Sequence, residues 1–240
     1  MSTTTLSTKA AVLAHLKEQE DPRGVANWEK LEDRPAGLKS HGIGLTRLRK
    51  IAKQIGPNAK LAAQLWKTKL YDAKVVSLLI DDPKSMTPEQ AETQVEQLQG
   101  GHLAHVFSSC DATLAKTPFV LEVLERWIES RDPVRRCCGY GLLYEVSKWK
   151  KKSAPDEAYF LDHIARVERT YGEAETAVLM SMGAALMGMG GRSKRLHARA
   201  LKLARKIGPI DFDPRGKCDP FDVAKNLSSK IITDRLGITS

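Results

Sequence analysis

One line of positive charge in the last quarter of the chain is the clearest candidate for chemistry. Cations recur there at spacings of three, four, three and four residues, at Arg192, Arg195, Arg199, Lys202 and Lys206. At 100° per residue they share a stripe about 80° wide on one helix face. No Asp or Glu stands between the first and the last of them, although like charges at this spacing destabilise a helix. A solvated face is the usual outcome for a charge run, but this ordered stripe favours contact with phosphates.

A second basic cluster surrounds a tryptophan at the predicted end of a helix. Lys148, Lys150, Lys151 and Lys152 flank Trp149. Cations are favoured near a helix C-terminus by the helix dipole, so capping accounts for part of this cluster. Phosphate contact is the functional interpretation of the rest.

Two further groups of cations indicate the same kind of partner. Arg135 and Arg136 fall in the first turn of a predicted helix, where the dipole disfavours cations, so a ligand explains them better than capping does. The predicted helix at 45–56 carries four more cations with no acid among them: Arg47, Arg49, Lys50 and Lys53.

The composition supports a polyanionic partner. Lys and Arg number 38 against 29 Asp and Glu, which gives a net charge of +9 and a pI near 9.4. A basic balance of this size is typical of nucleic-acid binding. Aromatic residues make up 6% of the chain, which argues against a platform that stacks single-stranded bases. A negatively charged polymer, above all DNA, is therefore the expected partner.

The same composition excludes other classes. No window approaches the roughly 18 apolar residues of a membrane span, and residues 1–8 lack a secretory core and are expected to form a short frayed leader. The four cysteines show no zinc-ligand spacing, so we expect reduced thiols, no metal and no cofactor. A cytoplasmic monomer, associated with the nucleoid when bound to DNA, is the expectation.

Apolar residues recur with helical spacing nearly everywhere, and Pro and Gly mark the boundaries of the helices. Residues 21–44 are expected to be irregular because they hold two prolines and four glycines. The predicted helices are 6–20, 45–56, 58–69, 71–81, 87–98, 101–115, 117–130, 132–150, 155–171, 173–188, 192–206 and 219–236.

Short connections force consecutive helices to lie antiparallel, and a long series of such pairs stacks into a solenoid. The predicted fold is therefore all-α: a HEAT-like or ARM-type α-solenoid of stacked antiparallel helix pairs with a concave basic face. The chain is expected to form one domain over residues 1–240.

Four segments carry a resemblance to a known family. They are Leu65-Trp66 with YDAKVVSLLIDDP at 71–83, RWIESRDPVRRCCGYGLLYEVSK at 126–148, GAALMGMGGRS at 183–193, and IGPIDFDPRGKCDPFDV at 207–223. In order and spacing, the chain from 44 to 232 resembles the AlkD-like DNA alkylation repair proteins, a superfamily of HEAT-like repeat DNA glycosylases. The resemblance implies a basic cleft that holds duplex DNA, and hydrolysis of the N-glycosidic bond of cationic N3- or N7-alkylpurines.

The family's catalytic Trp, Asp and Arg are not clearly retained. Its Trp-Asp-x-x-Asp segment falls at 100–106, which holds His105 but neither Trp nor Asp, and its Arg falls at Cys137, one residue after Arg136. Asp111, His105 and Arg136 are the substitute catalytic candidates. A carboxylate would stabilise the positive sugar as the cationic base leaves.

Three hypotheses follow from the sequence. The first is a repair protein that binds alkylated or damaged duplex DNA and excises the base. The second is a catalytically inactive DNA-binding scaffold of the same fold. The third is a protein–protein scaffold whose basic face binds an acidic partner.

Overall fold

The computed structural model describes residues 6–31, 37–98, 103–109, 112–212 and 218–238. Regular structure in these ranges consists of helices, and the only β-type pairings among them are two isolated bridges, Lys39 with Leu70 and Ile210 with Phe221. The all-α prediction is confirmed. No helix within these ranges is apolar over a length sufficient to cross a bilayer.

The chain divides into two compact units, Met1–Val120 and Leu121–Ser240. In the first unit, α5 packs against α1, α3, α4 and α7, and most of its side chains are buried. The helices of this unit are α1 (Lys9–Glu18), α2 (Pro22–Glu29), α3 (Leu45–Ile55), α4 (Ala59–Trp66), α5 (Tyr71–Ile80), α6 (Pro88–Val95) and α7 (Leu103–Ser108), followed by a 3₁₀ turn at Leu114–Lys116.

The second unit is built around the packing of α9, α11 and α12. Helix α9 packs along α11, and α12 packs against α10, α11 and α13. Its helices are α8 (Val120–Ile128, which begins at the unit boundary), α9 (Pro133–Ser147), α10 (Glu157–Thr170), α11 (Thr176–Gly190), α12 (Lys194–Ile207), α13 (Val223–Leu227) and α14 (Lys230–Leu236). The expectation of one domain stays a prediction.

The region expected to be irregular, residues 21–44, contains a helix. Asp21 caps α2 by accepting hydrogen bonds from the amides of Arg23 (3.0 Å) and Gly24 (3.3 Å), and Pro22 occupies the first helical position. Proline at that position is compatible with a helix because its missing N–H would have no intrahelical partner. The prediction of an irregular segment was wrong for Pro22–Glu29, because it assumed that Pro22 prevents helix formation.

The loop that follows α2 is held by one buried carboxylate. Asp72 on α5 is 0% exposed and accepts hydrogen bonds from Ser40 Oγ (2.9 Å), the His41 amide (2.7 Å) and the Ile43 amide (3.0 Å). A buried carboxylate needs such donors, because an unpaired buried charge is strongly destabilising. This network fixes the entry to α3.

The expected leader at 1–8 is partly ordered. Leu6 is buried, and Thr8 caps α1 by accepting a hydrogen bond from the Ala11 amide at 3.2 Å. Ordered packing therefore includes Leu6 and Thr8, which precede the first residue of α1. Residues 1–5 lie outside the described ranges.

Most helix boundaries agree with the Pro and Gly marks, and two predicted helices are divided or shortened. Thr87, Asp132 and Asp156 cap α6, α9 and α10 with their side chains. The helix predicted at 219–236 is interrupted between α13 and α14 by two serines, which compete for backbone hydrogen bonds in a helix interior. Within the described part of the helix predicted at 101–115, the helical elements are α7 and the 3₁₀ turn.

Two glycines allow helices of the second unit to approach closely. A Cβ added to Gly139 on α9 would lie 2.8 Å from the Ile128 backbone nitrogen, and one added to Gly188 on α11 would lie 2.8 Å from Tyr144 Cδ2. These distances are shorter than normal van der Waals contact. The close packing of α9 against α8 and α11 therefore depends on these glycines, and the lysine cluster follows the end of α9.

Candidate nucleic-acid interface

Helix α12 separates an apolar face from a basic face. Ser193 caps it by accepting a hydrogen bond from the Leu196 amide at 3.2 Å. The residues that face the core, Leu196, Ala200, Leu203 and Ala204, are buried. The basic face stays at the surface, where Arg195, Arg199, Lys202 and Lys206 are all exposed.

Carboxylates on the neighbouring helix α10 pair with three of these cations. Glu157 lies 3.4 Å from Arg195, and Glu168 lies 3.6 Å from Arg199 and 3.7 Å from Lys206. The absence of acids within this segment therefore does not leave these three side chains unpaired. The partners come from a helix more than twenty residues earlier in the chain.

The ion pairs do not neutralise the basic face. All three are solvent-exposed, and pairs of this kind typically contribute about 0–1 kcal/mol because water screens them. Glu168 is shared between Arg199 and Lys206. Lys202 makes no ion pair with any described residue. Excess positive charge therefore remains for an external anion.

Arg192 makes structural contacts that its position in the charged stripe did not predict. It precedes α12, and its guanidinium donates hydrogen bonds to the backbone carbonyls of Ser147 and, at 3.1 Å, Trp149. Its Cζ lies 4.4 Å from the centre of the Phe160 ring. Burial lowers the pKa of Arg192 from its ordinary value. Arg192 thus attaches the end of α9 to the start of α12.

The predicted lysine cluster lies at this junction. Lys150, Lys151 and Lys152 are exposed, and Lys151 Nζ is 3.3 Å from the centre of the Trp149 ring. Lys148 forms an ion pair with Glu145 at 2.6 Å, which distinguishes it from the other three lysines of the cluster. We call seven exposed cations of this region the basic surface: Lys150, Lys151, Lys152, Arg195, Arg199, Lys202 and Lys206.

The predicted cations at the other end of α9 are not part of the basic surface. Arg135 and Arg136 lie about 18 Å along the helix from its C-terminus, at 1.5 Å per residue. Arg136 Nη2 is 2.9 Å from Glu175, and its Nε is buried without a hydrogen-bond partner among the described residues. The structure therefore places Arg135 and Arg136 at a separate position.

The structure describes two of the three catalytic candidates. Asp111 lies outside the described residues. His105 is exposed on α7 in the first unit, whereas Arg136 belongs to the second unit and is ion-paired. Among the described residues, no group of three His, Cys, Asp or Glu side chains is suitable for holding a metal ion.

Sequence reasoning missed Glu157 and Glu168, the acids that border the basic surface. Both lie on the same face of α10, eleven residues apart, which is close to three helical turns. This spacing indicates an acidic face that could pair with cations of a neighbouring helix. The sequence does not show which helices pack together, so it did not identify Arg195 and Arg199 as the partners.

Comparison with known proteins identifies the family. The model of the DNA alkylation repair enzyme family matches residues 12–208, which is most of the chain. The chain belongs to this DNA alkylation repair enzyme family. The resemblance that the four sequence segments carry is thereby confirmed.

A solved structure supports the fold of this family member. It is described as "A new family of proteins related to the HEAT-like repeat DNA glycosylases with affinity for branched DNA structures", with a TM-score of 0.80, 20% sequence identity and coverage of 97% of each chain. At this identity the likeness shows the fold, which confirms the HEAT-like helical prediction. No curated protein matches the chain.

Proposed function

We propose that this member of the DNA alkylation repair enzyme family binds branched or damaged double-stranded DNA through the basic surface of its second unit. The observation that carries the proposal is the charge of that surface. Seven exposed cations lie on α12 and the adjoining loop, and their ion pairs with described residues involve two carboxylates, Glu157 and Glu168. DNA phosphates supply the missing negative charge.

The solved relative indicates which form of DNA to test. That relative belongs to a family with affinity for branched DNA structures, and it shares the fold of this chain. A basic surface contacts the backbone and does not read base identity, so selectivity would arise from the shape of the DNA. A four-way junction presents duplex arms at angles that a linear duplex does not.

The test is a titration of the full chain against a fluorescently labelled four-way junction and a linear duplex of equal length, at several salt concentrations. We expect binding whose logarithmic affinity falls linearly with the logarithm of the salt concentration, with tighter binding of the junction. Absence of binding to both DNAs at 0.15 M salt would refute the proposal and favour an acidic protein partner for the same surface.

Base excision is a second candidate function, favoured by the family match over residues 12–208. It requires a carboxylate at the sugar, and Asp111 is the candidate for this role. A duplex that contains 7-methylguanine is incubated with the chain, and free base is measured against a heat-inactivated control. Release that Asp111→Asn abolishes would establish excision. Equal signals from active and inactivated protein would leave a non-catalytic DNA-binding scaffold.

A further inference from the structure

A second group of cations lies in the first unit, around a cleft of about 470 Å³. Arg49 and Lys53 on α3 and Lys116 on the 3₁₀ turn line this cleft, together with the apolar side chains of Ala52 and Leu79. The three cations come from two elements that are more than sixty residues apart in sequence. Their convergence is therefore a product of the fold.

No carboxylate offsets these charges among the described residues. Arg49, Lys53 and Lys116 are exposed and take part in no ion pair or hydrogen bond with described side chains. Arg49 and Lys53 are also four residues apart on one helix, a spacing at which like charges repel. The C-terminal dipole of α3 accounts for Lys53 in its last turn, but it accounts neither for Arg49 nor for Lys116.

We propose that this cleft is a second phosphate-binding site, separate from the basic surface, which holds the backbone of a DNA arm. The inference rests on the proposed function, because it requires that the chain binds DNA. The cationic rim matches phosphate oxygens, and the apolar side chains of Ala52 and Leu79 match the deoxyribose face. A DNA with several arms is then held by cations of both units.

The helix itself offers a matched control. Arg47 and Lys50 are exposed cations on α3 that do not line the cleft. At 100° per residue they point about 60–160° away from the Arg49–Lys53 edge. Arg49→Gln with Lys53→Gln and Arg47→Gln with Lys50→Gln therefore remove the same charge from the same helix, from different faces.

The experiment measures junction affinity of the full chain and of both double variants at four salt concentrations. If each cleft cation holds one phosphate, Arg49→Gln with Lys53→Gln lowers the magnitude of the salt slope by about 1.8 and the affinity at 0.15 M salt by about 30-fold relative to the affinity at 1 M. The Arg47→Gln with Lys50→Gln control keeps the wild-type slope. Thermal unfolding checks that both variants fold.

Three outcomes would overturn the assignment. Equal slopes for both variants and the wild type would remove the cleft from the DNA interface while leaving the proposed function intact. Absence of salt-sensitive binding by the wild type would refute the proposed function and this inference together. Equal slopes combined with a rise in melting temperature on adding inorganic phosphate at constant ionic strength, a rise that Arg49→Gln with Lys53→Gln abolishes, would assign the cleft to a small phosphorylated molecule instead.

Discussion

Removing the unpaired lysines of the basic surface tests the proposed DNA contact without disturbing an ion pair. Lys150, Lys152 and Lys202 are exposed and make no ion pair with described residues. Their replacement by Gln therefore removes three positive charges and leaves the pairs of Arg195 and Arg199 with α10 in place. Folding stability is expected to stay within about 0.5 kcal/mol of the wild type.

The expected loss of affinity follows from counterion release. Each phosphate contact contributes about 0.9 to the salt slope, so three contacts contribute about 2.7. Relative to 1 M salt, one contact strengthens binding about 5.5-fold at 0.15 M, and three contacts strengthen it about 170-fold. The triple variant is therefore expected to bind DNA about 170-fold more weakly at 0.15 M salt, and to converge on the wild type as salt approaches 1 M.

The assay is fluorescence anisotropy with a labelled junction at four salt concentrations. The control replaces Lys30, Lys84 and Lys230 by Gln, which removes the same net charge from exposed side chains elsewhere. At 0.15 M salt, charges more than about 8 Å from the DNA are largely screened, so the control should bind almost as the wild type does. Equal losses in the two triple variants would show that total charge, and not the basic surface, determines affinity.

Three further predictions concern the framework that positions the surface. Arg192→Gln removes charged hydrogen bonds to two backbone carbonyls and should lower the free energy of unfolding by about 2–3 kcal/mol; an unchanged urea midpoint would contradict the role given to Arg192. Gly139→Ala places a methyl group 2.8 Å from the Ile128 nitrogen and should lower the free energy of unfolding by about 1–3 kcal/mol. Urea unfolding tests this against Gly172→Ala, whose added Cβ meets nothing within 4 Å. Asp72→Asn replaces the carboxylate that accepts hydrogen bonds from three donors and should lower the free energy of unfolding by about 2–3 kcal/mol. The backbone amides of residues 40–43 should then exchange hydrogen faster. Exchange there at the wild-type rate would refute the anchoring role of Asp72.

The sequence predicted the helical class and most helix boundaries because these depend on local spacing. Apolar residues at helical intervals, Thr87 before Pro88 and Asp132 before Pro133 act within a few residues of themselves, and the structure places α6 and α9 accordingly. Helix α2 was not predicted because proline has opposite effects at the first position and in the interior of a helix.

The site was predicted less completely because its contacts are distant in sequence. The partners of Arg195 and Arg199 lie on α10, and the acceptors of Arg192 lie at the end of α9. The spacing of residues within α12 cannot show either. The same limit applies to Lys116, which approaches Arg49 only through the packing of the first unit.

The attachment of α9 to α12 by Arg192 bears on what kind of DNA the chain selects. Because that guanidinium binds the carbonyls of Ser147 and Trp149, the backbone that carries the lysines is ordered before any ligand arrives. Binding then loses little backbone entropy, and the distances between cation attachment points are set in advance. A surface whose cations are held at preset distances favours a polyanion whose phosphates are also held at fixed distances. Duplex arms should therefore bind more tightly than single strands of equal charge.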